Sequence, residues 1–157
     1  MIELDFSLLN LRFSCNWLIL NKLFGEINMY QTYNHAKGCN IWHLRWCTKY
    51  RYKIFKQEKL RIFCEIAIKE CCAKNSIEMI ELNVQPEHVH LIANLLRGMT
   101  DIKALQLLKG FTAFVLFRLV EGFQKRYPRR NLWSRGSFAS TVGYTQLDIV
   151  VNYVKNQ

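Results

Sequence analysis

Ile77-Glu78-Met79-Ile80-Glu81-Leu82-Asn83-Val84-Gln85-Pro86-Glu87-His88-Val89-His90-Leu91-Ile92-Ala93-Asn94-Leu95 carries two apolar-rich runs on either side of a proline. Ile77 to Val84 alternates apolar and polar residues, the pattern of a half-buried strand. Pro86 cannot donate to a sheet ladder, so the chain turns there. Val89 to Leu95 then reads as a second strand, paired to the first as a hairpin. Residues two apart on a strand share a face. His88 and His90 would therefore present two imidazoles side by side, with Val89 and Leu91 turned to the core.

The flanks supply the rest of the fold. Gln57 to Asn75 has helical periodicity, with Leu60, Phe63, Ile66, Ala67 and Cys71 at three- and four-residue steps, and Asn75-Ser76 breaks it. Asn40 to Phe55 is a β-rich run containing Ile41, Trp42, Leu44, Trp46, Tyr50, Tyr52 and Phe55. Thr100-Asp101 is a helix N-cap before a long apolar helix from about Ile102 to Tyr127, which Pro128 closes. Ser137 to Val142 reads as a short strand, and Thr145 can cap a last helix, Gln146 to Gln157. The order is strand, helix, strand, strand, helix, strand, helix. That is an α+β, ferredoxin-like βαββαβ arrangement with an added C-terminal helix. It predicts a four-stranded antiparallel sheet with two long helices on one face. Residues 1–28 alternate apolar and polar residues without clear punctuation and read as an extension ahead of a domain at 29–157.

Composition narrows the function. A chain of 157 residues, 50% apolar and 22% charged, is an ordinary globular domain and not a disordered one. Lys and Arg number 22 against 12 acids, a formal charge of +10, so a polyanionic partner is expected, either nucleic acid or an acidic membrane face. The apolar stretch Phe6 to Phe24 includes Asn10, Arg12, Asn16, Asn21 and Lys22 and is too polar for a membrane span. The acidic start argues against an export signal, and Cys15, Cys39, Cys47, Cys64, Cys71 and Cys72 contain no C-x-x-C pair. They read as reduced, mostly buried thiols of a cytoplasmic protein.

Three groups of residues could carry chemistry. His88 and His90 make a start on a divalent-metal site, because neutral imidazole is a common ligand; the plain alternative is two partly exposed strand histidines. Tyr153 and Gln157, four apart, would stack on one face of the last helix. A phenol can attack phosphorus, and an amide oxygen can ligate a hard cation; the alternative is a surface tyrosine and a frayed terminus. Arg45, Lys49, Arg51, Lys53, Lys56, Lys59 and Arg61 are interleaved with Trp46, Tyr50 and Tyr52. Cations for phosphates and π faces for bases suit a single strand, though core aromatics on a solvated strand would read the same. Lys125, Arg126, Arg129, Arg130 and Arg135 form a second basic cluster, flanking that groove or capping the helix dipole. Cys39, His43 and Cys47 recur every fourth residue, but on a strand they span too far to share one ion.

Four segments in order carry a resemblance: His43-Leu44-Arg45-Trp46-Cys47-Thr48-Lys49-Tyr50-Arg51, Glu87-His88-Val89-His90-Leu91, Leu132 to Phe138 with Ser140-Thr141-Val142-Gly143, and Tyr153 to Gln157. Over roughly residues 33–157 the chain resembles the small HUH single-tyrosine transposases of the insertion sequence 200 and 605 groups. The resemblance implies cleavage and rejoining of single-stranded DNA at the ends of a mobile element, with no nucleotide cofactor. It implies Tyr153 as the nucleophile of a 5′-phosphotyrosine intermediate, and Mg²⁺ or Mn²⁺ held by His88, His90 and Gln157. It further implies a homodimer in which one subunit's tyrosine helix completes the other's site, and recognition of DNA hairpins, for which Lys49, Arg51 and Arg135 are candidates by charge and position. Arg45 stands where the family pattern has an aliphatic residue, that pattern continues past the glutamine, and residues 1–28 have no counterpart in it. A second reading, from another class, is a single-stranded or hairpin DNA-binding protein of the same fold that no longer cleaves.

Overall fold

The computed structural model describes residues 31–33, 36–143 and 146–157, so the expected extension at 1–28 and the expected cap Thr145 lie outside the described residues. Strands β1 (Gln31–Tyr33) and β2 (Ala36–Gly38) pair as a small separate hairpin. The body follows as β3 (Ile41–Thr48), α1 (Glu58–Lys74), β4 (Glu78–Val84), β5 (His88–Asn94), α2 (Asp101–Leu119), α3 (Phe123–Arg126), β6 (Trp133–Thr141) and α4 (Leu147–Lys155). The main sheet runs β4-β5-β3-β6, every neighbouring pair antiparallel. This is the expected ferredoxin-like arrangement, with the central strands β5 and β3 shielded on both edges.

Strand alternation divides the sheet into two surfaces. Leu44, Trp46, Val89, Leu91 and Ala93 enter one core with α1 and α2, whose contributions include Phe63, Ile68, Leu108 and Leu116. Ile41 and Ile92 point the other way and pack with Val142, Leu147 and Val154, so α4 covers part of the opposite surface. α1 buries Leu60, Phe63, Cys64, Ala67, Ile68, Cys71 and Cys72, while Ile66, expected on that face, is exposed. Asn75 ends α1 by donating from Nδ2 to the Cys71 carbonyl at 2.8 Å, and Ser76 follows at φ 52°. Thr100 caps α2 as expected, its hydroxyl accepting from the Lys103 N–H at 3.2 Å. The five described cysteines are free thiols, with Cys64, Cys71 and Cys72 buried.

Four boundaries differ from the sequence expectation. β3 stops at Thr48, because Tyr50 and Arg51 take positive φ (59° and 53°) and the chain leaves the sheet. Lys49–Arg51 and Ile54–Lys56 become single 3₁₀ turns instead of strand. α2 ends at Leu119, where Gly122 at φ 87° redirects the chain so that Phe123 and Tyr127 turn into the core. β6 begins at Trp133, four residues before the expected start, with the Trp133 Nε1–H donating to the Thr112 hydroxyl at 3.0 Å. Finally, α4 ends at Lys155. No described helix is long and apolar enough to cross a membrane.

Candidate active site on the open face of the sheet

Register assembles the site. Arg45 on β3 lies opposite His90 on β5 and Phe138 on β6, His43 lies opposite Ile92 and Ser140, and Cys47 lies opposite His88. Odd positions of β3 and even positions of β5 therefore share the surface away from α1 and α2. His43 and His90 meet there in a hydrogen bond, Nε2 to Nδ1 at 2.9 Å, with their rings stacked 5.1 Å apart. The His88 ring stands 4.9 Å from that of His90. The expected pair of neighbouring imidazoles is thus present, and His43 makes it three.

Helix α4 brings Tyr153 to the same place. Leu147 and Val154 bury its apolar side against Ile92, Ile41 and Val142. Asn83 Nδ2 donates to the Val154 carbonyl at 2.7 Å, and Lys155 pairs with Glu81 at 3.6 Å. These contacts leave the Tyr153 ring edge-on to His90 at 6.2 Å and to His43 at 6.5 Å, and half exposed. A single chain therefore places its own tyrosine beside its own histidines, where the resemblance implied that the helix of a second subunit would do so. Gln157 does not stack beneath Tyr153. Asn156 leaves helical geometry at φ −93°, ψ 6°, so Gln157 lies past the end of α4, exposed. The last carbonyls of a helix have no intrahelical partner to hold further residues in register.

The electrostatics favour neutral imidazoles. His90 is 1% exposed, and burial, then His88, His43 and Arg45, hold its pKa down to about 4. Burial and then Arg45 lower His43 as well. His88 is lowered by burial and Arg45, against the opposing pull of Glu87, whose carboxylate lies 3.5 Å from His88 Nδ1. The Nε2 atom of His90 is sealed from water and has no hydrogen-bond partner among the described residues. If Nδ1 of His90 carries the proton and donates it to His43, that Nε2 offers a lone pair, which is what a cation requires of a histidine. Among the described residues no group of three or more His, Cys, Asp or Glu side chains is placed to hold a metal. Two histidines fit a metal that takes its remaining ligands from other donors.

The basic candidates divide between regions. Lys49 and Arg51 occupy the turn after β3, beside the histidine strand, and Arg51 pairs with Glu87 at 3.8 Å. Tyr50 is 72% exposed, and the Arg126 guanidinium lies 5.6 Å from the Tyr52 ring, so the two basic clusters meet. Trp46, which the sequence left open as a base-stacking or a core aromatic, is a core residue, buried against Trp133. Arg135 shares its side of β6 with Ala139, which packs on the helix-covered core, and lines a groove with Ile102, Gln106 and Lys109 of α2. It lies on the opposite surface from the histidines.

His43 is the residue that reasoning from sequence misses. Grouped with Cys39 and Cys47 it belongs to a stripe too long for one ion, and that remains true of the stripe. Its parity on β3 is a usable signal, but the partner strand and register are needed to read it.

Comparison with known proteins places this geometry. Residues 37–157 match the family described as Transposase IS200 like. The chain is 28% identical to the transposase for insertion sequence element IS200 of Salmonella typhimurium, over 78% of this chain and 80% of that one. It is 27% identical to the ISDra2 transposase TnpA of Deinococcus radiodurans, over 74% of this chain and 82% of that one. In fold it is similar to a crystallised candidate transposase from Deinococcus radiodurans, with a TM-score of 0.65, 23% identity, and 81% and 97% of the two chains covered. It is also similar in fold to a REP-associated tyrosine transposase bound to a REP hairpin, with a TM-score of 0.57, 15% identity, and 79% and 70% covered. A ferredoxin-like sheet bearing paired histidines and a tyrosine helix, matched over most of its length by this family, identifies the chain as a transposase that belongs to the IS200-like transposase family.

Proposed function

We propose that the chain cleaves and rejoins single-stranded DNA at the ends of a mobile element through a covalent bond to Tyr153. The observation that carries this reading is the half-exposed Tyr153 ring standing edge-on to His90 and His43 within one chain. In this reaction the Tyr153 oxygen loses its proton to solvent and forms a bond to the scissile phosphorus. The bond from phosphorus to the 3′-oxygen breaks, the 3′-oxygen takes up a proton, and the DNA is left as a 5′-phosphotyrosine beside a free 3′-hydroxyl. The phosphodiester energy is kept in the tyrosine ester, so strand rejoining needs no ATP.

His88 and His90 would hold Mg²⁺ or Mn²⁺, with Gln157 as a neutral third ligand once substrate binding carries the end of the chain over the histidines. The ion would supply Lewis-acid polarisation of the phosphate oxygens. His43 acts on His90, fixing its ring and its tautomer through their shared hydrogen bond. Lys49 and Arg51 border the histidine surface and would hold the single strand, while Arg135 would meet DNA only where it passes over the β6 groove. Hairpin DNA ends, a homodimer, a cytoplasmic site of action and activity confined to a 29–157 domain complete the proposal.

The test is a covalent-adduct assay. The protein is mixed with single-stranded DNA from the element's flanking ends, with Mn²⁺ or with chelator, and run on a denaturing gel. A shifted band that needs Mn²⁺ and is absent from Tyr153→Phe is the expected result. A band that survives in Tyr153→Phe would remove Tyr153 as nucleophile.

A further inference from the structure

Arg45 sits at the centre of the histidine surface, opposite His90 on one neighbouring strand and Phe138 on the other. It is partly buried, and its Nε is sealed from water with no hydrogen-bond partner among the described residues. Of the acids on this side, Glu87 is engaged by Arg51 at 3.8 Å and lies 3.5 Å from His88, and Glu81 pairs with Lys155 at 3.6 Å. No described ion pair includes Arg45. The register sets it directly across from His90 and two positions from His43 on the same surface, and its charge acts on His43, His88 and His90. A guanidinium with a desolvated nitrogen and no counter-anion is unfavourable unless an anion comes to it.

We infer that Arg45 binds the phosphodiester at the cleavage position, as a further catalytic residue beside the histidine pair. The inference rests on the proposed DNA-strand reaction. A histidine brings no negative charge in either protonation state, so a substrate anion would balance Arg45 on this surface. A phosphodiester carries one negative charge and two non-bridging oxygens, which match the fork of a guanidinium. As Tyr153 attacks, negative charge grows on those oxygens, and a donor already held on the sheet stabilises it without reorganising.

The experiment separates this contact from the cleavage reading. Binding is measured with Tyr153→Phe protein and single-stranded oligonucleotides from the element ends. Each oligonucleotide carries one neutral methylphosphonate in place of a phosphate, moved stepwise along the strand. With Arg45 present, one position is expected to weaken binding about tenfold. In Tyr153→Phe/Arg45→Gln the same substitution is expected to change nothing, while Tyr153→Phe/Arg45→Lys keeps part of the effect. Thermal melting of each variant checks that the sheet is intact, with Arg45→Lys carrying the comparison if Arg45→Gln does not fold. If every position responds alike with Arg45 present and in the Arg45→Gln variant, Arg45 does not contact a phosphate and the inference is overturned. In parallel, single-turnover adduct formation is expected to slow about 100-fold in Arg45→Gln with Tyr153 intact. A parent chain that forms no adduct, yet shows the Arg45-dependent position, would retain the phosphate contact and refute the cleavage reading instead.

Discussion

The two surfaces of the sheet are made by the same strands, yet they obey different rules. Toward α1 and α2, β3 and β5 present Leu44, Trp46, Val89, Leu91 and Ala93, all buried in one apolar cluster. Toward α4 they present His43, Arg45, His88 and His90, with Arg45 Nε and His90 Nε2 unpaired among the described residues; on the helix-covered surface of these strands the unpaired polar atom is Trp46 Nε1. The helix-covered surface gains free energy by excluding water from apolar area. The other surface costs free energy, since it desolvates polar atoms without pairing all of them. The apolar contacts of one surface thus offset the cost of charged and imidazole groups clustered on the other.

Substitutions at four positions probe that contrast. Tyr153→Phe should reduce covalent adduct formation by about 10⁴-fold or more while leaving the melting temperature unchanged, because only an exposed hydroxyl is removed. Unaltered melting with persisting adduct would move the nucleophile elsewhere. His88→Ala should abolish metal-dependent cleavage and weaken Mn²⁺ binding by more than about 100-fold, with hairpin DNA still retained in a gel shift. Loss of both DNA and metal binding would mean that His88 is structural.

Leu91→Ala, one strand position away from His90 but on the other surface, should do the reverse. A fully buried leucine truncated to alanine costs about 2–5 kcal/mol. Denaturant unfolding should show that loss, while Mn²⁺ affinity of the protein that remains folded stays at the parent value. Equal damage to both readouts would show that the two surfaces are not separable. The smallest effect is expected at His43. His43→Ala should lower Mn²⁺ affinity about 10-fold, followed by paramagnetic resonance, and His43→Gln should recover most of it by accepting the same hydrogen bond. A His43→Ala protein that binds Mn²⁺ like the parent would reduce the His43–His90 contact to packing.

What can be read from the chain alone follows a physical pattern. The hairpin from Ile77 to Leu95 is legible because burial on one side of a strand imposes a period of two, and Pro86 marks where pairing must stop. The Thr100 cap is legible because it is a local bond between residues three apart. The end of β3 is not, since Tyr50 and Arg51 take positive φ where the Thr48 and Lys49 N–H groups donate to the carbonyls of Glu87 and Leu132, far away in sequence. Trp46 resembles a stacking platform because composition cannot say which side of a strand is wet. Arg135 groups with Lys49 and Arg51 by charge, but its parity on β6 sends it to the helix side.

Local periodicity and motifs of neighbouring residues are enough for the order of elements, for the pairing of His88 with His90 on one strand surface and for a tyrosine on a final helix. They do not reveal that His43 and Arg45 join the histidine pair, that Tyr153 reaches its own chain's histidines, or that Gln157 lies off the helix. Those outcomes depend on antiparallel register and on how α4 docks through Leu147 and Val154. Register and docking are set by burial summed over residues far apart in the chain, a quantity that no local stretch of sequence contains.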